Sequence, residues 1–193
     1  ESVFVAARRA CMRSGLLCCE CALDADASIY EAERVEIPEQ TRAIVAVGGG
    51  SVIDLVKYAA QFHDLPVFVV YTGCDASPLA PSSLLLCKGA PTRYAVDVPK
   101  GLVCDPTLLP DDPERDAAAM GSVLAVLTAL FDRYIASAVC GESYCPSLAE
   151  QAYAAVAELV EHLEGALRPS NAKTALAQAN LRLSQLTVLK GDS

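Results

Sequence analysis

Three consecutive glycines follow an apolar run and precede a serine, an aspartate and a lysine. The stretch is AIVAVGGGSVIDLVK, residues 43–57. Glycines at a strand-to-helix turn permit positive φ and carry no side chain, so backbone amides can approach a diphosphate at the positive end of the following helix. Ser51 adds a hydroxyl donor. The stretch predicts an anion-binding turn, although a plain strand-to-helix connection accounts for the same glycines.

The residues after the turn refine this prediction. The stretch is neither the GxGxxG dinucleotide fingerprint nor a P-loop, because no Gly-Lys-Ser/Thr follows the glycines. Asp54 and Lys57 are three residues apart on the predicted helix, so they either face each other across one turn or point from the same side toward a ligand. The alternative is a surface ion pair of little energetic value.

Candidate metal ligands are few. The chain has two histidines, His63 and His162, and the sequence around each predicts a surface position rather than a metal ligand. Among the nine cysteines, the Cys18-Cys19-Glu20-Cys21 group is a poor metal site, because a strand would send Cys18 and Cys19 to opposite faces. The odd count and the apolar surroundings predict buried, reduced thiols.

Alternating short elements must position the glycine turn. Short apolar runs separated by helical patterns indicate a parallel sheet covered by helices. The segments are a helix at 3–12, strands at 16–23, 43–47 and 66–71, a helix directly after the glycines, and short strands with a hairpin at 84–105.

The rest of the chain predicts helices. Asp112 can cap a helix whose first position is Pro113. That helix runs to residue 140 with a break near Gly121, and two more follow at 147–167 and 171–189. Ser147 and Glu150 form a capping box for the second. The chain thus divides into residues 1–110, α/β, and residues 111–193, all-helical, with a ligand site expected in the cleft between two such parts.

Composition excludes some partners. The formal net charge is −9 and no basic cluster is present, which argues against nucleic acid. Charges or glycines interrupt the apolar stretches before membrane-spanning length, and no basic segment precedes an apolar secretory core, so we expect a cytoplasmic protein without a membrane segment. Because the chain opens on glutamate, we also expect that an upstream segment has been lost, processed or left out.

Three segments in order resemble one enzyme superfamily. GGGSVIDLVK resembles the GGGSxxDxxK segment of the iron-containing alcohol dehydrogenase, glycerol dehydrogenase and dehydroquinate synthase superfamily. LPVFVVYTGCDASPLAPSSLLL and GLVCDPTLLPDDP resemble its later strand-to-loop passage and its Asp-Pro passage before the helical domain. DASP at 75–78 and FDRYIASAVCGESYC are similar to the glycerol-1-phosphate dehydrogenase branch.

The resemblance implies a fold and a cofactor. It implies a Rossmann-like α/β domain followed by an all-helical domain, a dehydroquinate synthase-like fold that is incomplete at both ends. NAD or NADP would lie across the glycine turn, with a polyol or polyol phosphate as substrate. Carried over by position, Gly48, Gly49, Gly50 and Ser51 would hold the diphosphate, Asp54 would lie near the nicotinamide end, and Thr72 and Asp75 would line the nucleotide.

The same resemblance fails at the metal. Hydride transfer in this family relies on zinc or iron that polarises the alcohol oxygen, held by an aspartate and two histidines. Aligning MGSVLAVLTALFDRY with the family's Gly-x-x-Asp-Ala-Leu helix puts Ser122 at the aspartate, and serine is a poor ligand. The histidines would follow Ser193, and the family's first strand has no room before residue 3. We therefore expect no family metal on this chain, and the catalytic residues stay unassigned.

Three functions remain open. The first is an NAD(P)-dependent oxidoreductase of the polyol or glycerol(-phosphate) dehydrogenase type, which could be inactive as this chain. The second is a non-catalytic nucleotide-binding or structural relative. The third, ranked last because the helical part is poor in lysine and arginine, is a dehydroquinate synthase-like lyase. Apolar surface left by a missing strand favours a homo-oligomer.

Overall fold

Five strands and six helices make up the part of the chain that the structure describes. The structure is a computed structural model that describes residues 2–23, 27–74, 78–109, 111–165 and 169–191. The elements in order are α1 Val3–Arg13, α2 Ile29–Ala32, β1 Ile44–Gly48, α3 Gly50–Gln61, β2 Val67–Tyr71, β3 Ser82–Cys87, β4 Ala90–Ala95, β5 Gly101–Cys104, a 3-10 turn Pro106–Leu108, α4 Pro113–Cys140, α5 Pro146–Gly165 and α6 Pro169–Gly191.

Contacts group these elements into two compact units. The first contains Glu1–Gly73 and Ala80–Leu108, and the second contains Cys74–Leu79 and Leu109–Ser193. A short segment of the α/β half of the sequence therefore groups with the helices. The assignment of residues 1–110 and 111–193 to separate functional domains stays a prediction.

A three-stranded parallel sheet forms the centre of the first unit. Its strand order is β1-β2-β5, and Gly48 pairs with Tyr71, which pairs with Cys104. The three strands therefore end at the same level. The predicted fold class, α/β with a parallel sheet followed by helices, is confirmed.

Helix α3 is buried on two sides. It packs on β1 and β2 of the sheet and on β3 of the hairpin. Leu55 and Ala59 form one core cluster with Leu85 of β3 and Ala32 of α2. Other buried residues of α3 are Gly50, Ile53, Val56, Lys57 and Ala60. A helix buried on two sides lacks the broad polar face of a surface helix.

Strands β3 and β4 form the predicted hairpin. Lys88 and Gly89 join them with φ of 50° and 80°, the positive pair that a type I′ turn requires. β5 leaves the hairpin and joins the parallel sheet beside β2. The segment predicted as a run of short strands thus serves two separate sheets.

The second unit is built on three long helices. Helices α4, α5 and α6 pack on one another, with Val123, Val156 and Leu176 among the buried residues. The predicted start of α4 is confirmed, because the carboxylate of Asp112 accepts a hydrogen bond from the Arg115 amide at 3.1 Å and Pro113 is the first helical residue.

Two buried polar side chains of α6 hold the segment Cys74–Leu79. The amide of Asn180 donates to the carbonyl of Cys74, and the amide of Leu79 donates to the hydroxyl of Ser184 at 2.8 Å. Asn180 and Ser184 are 7% and 0% exposed. Burying polar groups without partners is unfavourable. These bonds give partners to the buried side chains of α6 and to the backbone groups of Cys74 and Leu79.

Three local predictions are wrong. Residues 16–23 form no strand, because α1 ends in a turn at Gly15, φ 80°, and Leu16 donates back to the Cys11 carbonyl at 3.2 Å. Helix α4 continues through Gly121 without a break. The capping box fails because α5 begins earlier, at Pro146, so Ser147 lies inside the helix.

The cysteines are less buried than predicted. All nine are free thiols, but Cys74 alone among them is fully buried. Five are exposed: Cys18, Cys19, Cys21, Cys140 and Cys145. The prediction failed for these because it took apolar neighbours in sequence as evidence of a core, whereas two of them flank the end of α4 and three follow α1 in an irregular segment.

Helix α4 also corrects the expectation about membrane-spanning length. Within the described residues it is the one helix long and apolar enough to cross a membrane by length and composition, and little of its most apolar window is buried. The sequence-based argument took charges and glycines as interruptions, but α4 runs through Gly121 and through the Asp132-Arg133 pair. Core helices of soluble proteins pass the same test, so one such helix is weak evidence for a membrane segment.

The packing of β1 on α3 yields a first prediction. A Cβ on Gly48 would lie 2.9 Å from the Cβ of Val52 and 3.0 and 3.1 Å from its two methyl carbons. Gly48→Ala should therefore lower the free energy of unfolding by about 1–3 kcal/mol, as overpacked sites do, measured by urea denaturation. Adding Val52→Ala, which removes the two methyl contacts, should recover part of the loss, and no recovery would contradict the packing argument.

Candidate functional site

Two of the predicted site residues, Gly48 and Thr72, lie at the carboxyl ends of the parallel strands β1 and β2. The amide of Thr72, directly after β2, donates to the carbonyl of Gly48 at 3.0 Å. This bond brings Thr72 beside the turn between β1 and α3. Ligands of open α/β sheets bind outside the carboxyl ends of the strands, so this edge is the candidate site.

The structure of this turn requires the small size of glycine and not a positive φ. Gly49 is the N-cap of α3 with φ −86° and ψ −169°, an extended conformation that any residue adopts. Positive φ, which glycine permits, occurs at other glycines of the described chain, Gly15, Gly89 and Gly141, and not in this turn. What Gly48 supplies is room for Val52, as the Cβ distances above show.

The first turn of α3 can bind an anion. The first amides of a helix have no acceptor within the helix, and the helix dipole makes this end positive. Ser51 is exposed on this turn, while Gly50 is buried. Gly48, Gly49 and Gly50 carry no side chain of their own that would cover these amides. The described residues 48–51 therefore fit a nucleotide diphosphate.

Asp54 and Lys57 form an ion pair inside the unit. The ammonium of Lys57 lies 3.1 Å from Asp54 Oδ1, and the two side chains are 0% and 21% exposed. The same ammonium donates to the carbonyls of Ala80 at 3.1 Å and Ser82 at 2.8 Å. Asp54 Oδ2 accepts from the amide of Leu84 at 3.0 Å. Through these hydrogen bonds the pair connects α3 to the start of β3.

These contacts decide between the sequence-based alternatives for the pair. Because the Lys57 side chain is buried, the prediction of a surface ion pair is wrong. Lys57 faces Asp54 and does not point to a ligand, since its three donors match three acceptors. Burial lowers the pKa of Lys57, and the charge and hydrogen bond of Asp54 oppose that shift. The location of Asp54 near the nicotinamide stays a prediction.

A second carboxylate lies at the same edge of the sheet. Asp105 directly follows β5, and its Oδ1 accepts from the Thr107 amide at 2.9 Å and the Thr107 hydroxyl at 2.7 Å. These two hydrogen bonds lower the pKa of Asp105. The carboxylate organises the 3-10 turn after β5, so its contacts within the described residues are structural.

A cavity of about 280 Å³ lies at the opposite end of the sheet. Its walls include Gln61 and Asp64 after α3, Pro66 before β2, and Asp97 and Lys100 before β5. These positions are at the amino ends of β2 and β5, away from the glycine turn. The cavity therefore lies away from the glycine turn, and Lys57 of α3 is also among its walls.

The residues present do not fit the family metal. Ser122 is exposed on α4, and its hydroxyl donates to the carbonyl of Ala118 at 3.0 Å in its own helix. Within the described residues no three side chains of histidine, cysteine, aspartate or glutamate form a metal cluster. His63 and His162 are exposed, as predicted. Asp75, predicted to line the nucleotide, lies outside the described residues.

The sequence argument missed the part that Lys57 plays. The sequence did contain a signal for a buried lysine. Lys57 lies four residues after Ile53 and one turn before Ala60, on the buried stripe of α3. A lysine within an apolar stripe indicates either a buried pair or a ligand contact. The carbonyls of Ala80 and Ser82, which complete the lysine's bonds, carry no sequence signal.

The family of the chain follows from comparison. A family model described as iron-containing alcohol dehydrogenase matches residues 3–113, more than half of the chain. The chain therefore belongs to the iron-containing alcohol dehydrogenase family, which confirms the resemblance carried by the glycine-turn segment.

Two curated relatives refine the comparison. The chain is 29% identical over 167 residues to a glycerol-1-phosphate dehydrogenase (NAD(P)+) from Bacillus subtilis, a match that covers 82% of this chain and 41% of the relative. It is 30% identical over 148 residues to the enzyme of the same name from Methanosphaera stadtmanae, covering 74% of this chain and 41% of the relative. The chain thus spans about two fifths of the length of these relatives.

A solved structure shares the fold. The crystal structure of glycerol dehydrogenase from Schizosaccharomyces pombe superimposes with a TM-score of 0.76 at 17% identity, covering 96% of this chain and 52% of that one. At this identity the likeness establishes the fold alone. The predicted combination of a parallel α/β part and helices agrees with it.

The buried ion pair yields a stability prediction. Lys57→Met leaves Asp54 and two carbonyls without their partner, so the free energy of unfolding should fall by about 3–5 kcal/mol, as when one member of a buried pair is removed. Urea denaturation measures the change. Lys100→Met, at an exposed lysine of the same unit, is the matched control and should change stability by less than about 0.5 kcal/mol. Equal effects of the two variants would contradict the assignment.

The same pair yields a pH prediction. Because the pKa of Lys57 is lowered on folding, the folded chain binds this proton less tightly than the unfolded chain. Stability rises with pH wherever the unfolded state binds more protons. The wild type should therefore gain stability relative to Lys57→Met as pH rises toward the ordinary lysine pKa of 10.5. A difference that shrinks over this range would contradict the lowered pKa.

Proposed function

We propose that this chain is the NAD(P)-binding part of an oxidoreductase of the glycerol-1-phosphate dehydrogenase type. The observation that carries the proposal is the position of the glycine turn: Gly48 ends β1 at the carboxyl edge of the sheet, and Gly49 is the N-cap directly before the first amides of α3. The relatives named glycerol-1-phosphate dehydrogenase (NAD(P)+) support the same cofactor class.

The proposal assigns a role to each predicted residue. Gly48, Gly49, Gly50 and Ser51 hold the diphosphate through backbone amides and one hydroxyl. Thr72, bonded to the Gly48 carbonyl, lines the nucleotide from the next strand. Asp54 lies one turn along α3 toward the nicotinamide, and Asp75 completes the nucleotide contacts. The substrate class is a polyol or a polyol phosphate.

A specific observation favours a second candidate, a relative that binds the nucleotide without turnover. Metal-assisted hydride transfer needs a Lewis acid on the alcohol oxygen. At the position aligned with the family's metal aspartate, the Ser122 hydroxyl is bonded to its own helix. We therefore propose that the 193-residue chain binds NAD(P)H but does not reduce a carbonyl by itself.

The nucleotide assignment is tested at Gly49. Since its backbone is extended, valine can adopt the same φ and ψ, but its side chain would stand at the N-cap where the diphosphate approaches. Gly49→Val should abolish NADH binding measured by calorimetry while the far-ultraviolet circular dichroism stays that of the wild type. Unchanged NADH affinity in this variant would overturn the diphosphate site.

The two candidates differ in turnover. With zinc, NADH and dihydroxyacetone phosphate, the 193-residue chain should oxidise NADH no faster than a protein-free blank while still binding it in calorimetry. Turnover that a chelator removes would establish the metal-assisted enzyme and eliminate the non-catalytic candidate.

Self-association belongs to the same proposal. Leu124, Leu127, Phe131 and Tyr134 recur at alternating spacings of three and four along α4, and each is at least 37% exposed. This spacing suits helix-to-helix packing with a second copy. Light scattering should show a homo-oligomer that Phe131→Glu dissociates, with the exposed Glu142→Gln as the control. A monomeric wild type would contradict this part.

A further inference from the structure

The glycine-turn segment contacts both the end of β2 and the start of the β3–β4 hairpin within the first unit. At its start, the Thr72 amide donates to the Gly48 carbonyl at 3.0 Å. At its end, the Ala80 and Ser82 carbonyls accept from Lys57, and the Leu84 amide donates to Asp54. The GGGSVIDLVK segment therefore makes contacts with both elements.

The lysine is poorly explained as a stabilising residue alone. Replacing a buried ion pair by apolar residues of similar volume is often neutral or stabilising, so stability by itself does not require a fully buried ammonium. Its neighbours on the helix, Val56 and Ala60, are apolar and fully packed. An apolar residue at position 57 could not bind Asp54 and the carbonyls of Ala80 and Ser82 at the same time.

The bonds to Asp54 set the geometry of the helix start. Asp54 lies three residues after Ser51, so the same turn of helix carries the predicted diphosphate contact and the carboxylate. One carboxylate oxygen is held by Lys57 and the other by the Leu84 amide, which fixes both the side chain and the distance from α3 to β3. Removing Lys57 takes the ammonium partner from Asp54 Oδ1 and the donor from the carbonyls of Ala80 and Ser82.

We propose that Lys57 is a positioning residue for the nucleotide site: it orients Asp54 and fixes the start of β3 beside α3. The inference rests on the proposed function, because it assigns Lys57 no contact with the nucleotide. Its effect reaches bound NAD(P)H through Asp54, whose carboxylate Lys57 and the Leu84 amide hold.

The test uses the fluorescence of NADH bound to the 193-residue chain. The chain has no tryptophan, so protein emission from that residue does not overlap the nucleotide signal. Two quantities are measured at a temperature where every variant is folded: the NADH dissociation constant and the emission maximum of the saturated complex. The second quantity reports the surroundings of the nicotinamide, which loss of stability alone does not move.

Lys57→Met should weaken NADH binding about tenfold, equivalent to roughly 1.4 kcal/mol, and should shift the emission of the saturated complex toward that of free NADH. Lys100→Met should change neither quantity. Asp54→Asn should reproduce both effects in direction. Adding Lys57→Met to Asp54→Asn should then have a smaller effect than it has alone, because residues in one network are not additive.

Each outcome is decisive. If Lys57→Met lowers the unfolding midpoint but leaves both the NADH affinity and the saturated emission unchanged, Lys57 is structural and the positioning role is overturned. Full additivity of the two substitutions overturns the route through Asp54. A wild-type chain that binds no NADH or NADPH overturns the proposed function and the positioning role with it, whereas wild-type binding with an unaffected Lys57→Met overturns the positioning role alone.

Discussion

A lysine ammonium with no exposed surface constrains the whole first unit. An isolated buried charge is very unfavourable, so Lys57 can be buried only where an anion and further acceptors surround it. Asp54 supplies the anion, and the carbonyls of Ala80 and Ser82 supply the other acceptors. The hairpin must therefore begin within hydrogen-bond distance of α3, and α3 must be covered on the side that faces β3. The parallel sheet covers the other side, which is why so much of this helix is buried.

The glycine turn illustrates how packing and ligand binding select the same residue. Gly48 is required by the closeness of Val52, whether or not a nucleotide is present. The same lack of side chains exposes the amides at the start of α3 to an anion. A glycine-rich turn in a sequence therefore does not by itself distinguish a binding site from a tight connection. Here position supports the proposed nucleotide site, because the turn lies at the carboxyl edge of a parallel sheet and Thr72 is hydrogen-bonded to it there.

The sequence could predict the structural features that depend on residues close together in the chain. Alternating apolar strands, the helix after the glycines, and the Asp112-Pro113 start of α4 are local patterns, and each is present. The strand at 16–23 failed because leucines and cysteines in a row also suit an irregular segment once Gly15 ends α1. The predicted break near Gly121 failed because one glycine inside a helix costs only about 1 kcal/mol, which is too little to end a helix of 28 residues. Of the candidate site, the turn and Thr72 could be found from the sequence, whereas the depth of Lys57 depended on carbonyls about 25 residues away.

The bonds to the loop ends differ greatly in how far apart their partners lie in the chain. Lys57 and Ser82 are separated by 25 residues, but Leu79 and Ser184 are separated by 105, and Cys74 and Asn180 by 106. Contacts between distant residues bear a larger loop-closure entropy and form later in folding. During synthesis, the lysine bonds can close as soon as the hairpin leaves the ribosome, whereas the segment Cys74–Leu79 has to wait for α6. The order of translation therefore separates formation of the lysine bonds from formation of the bonds that α6 makes to Cys74 and Leu79.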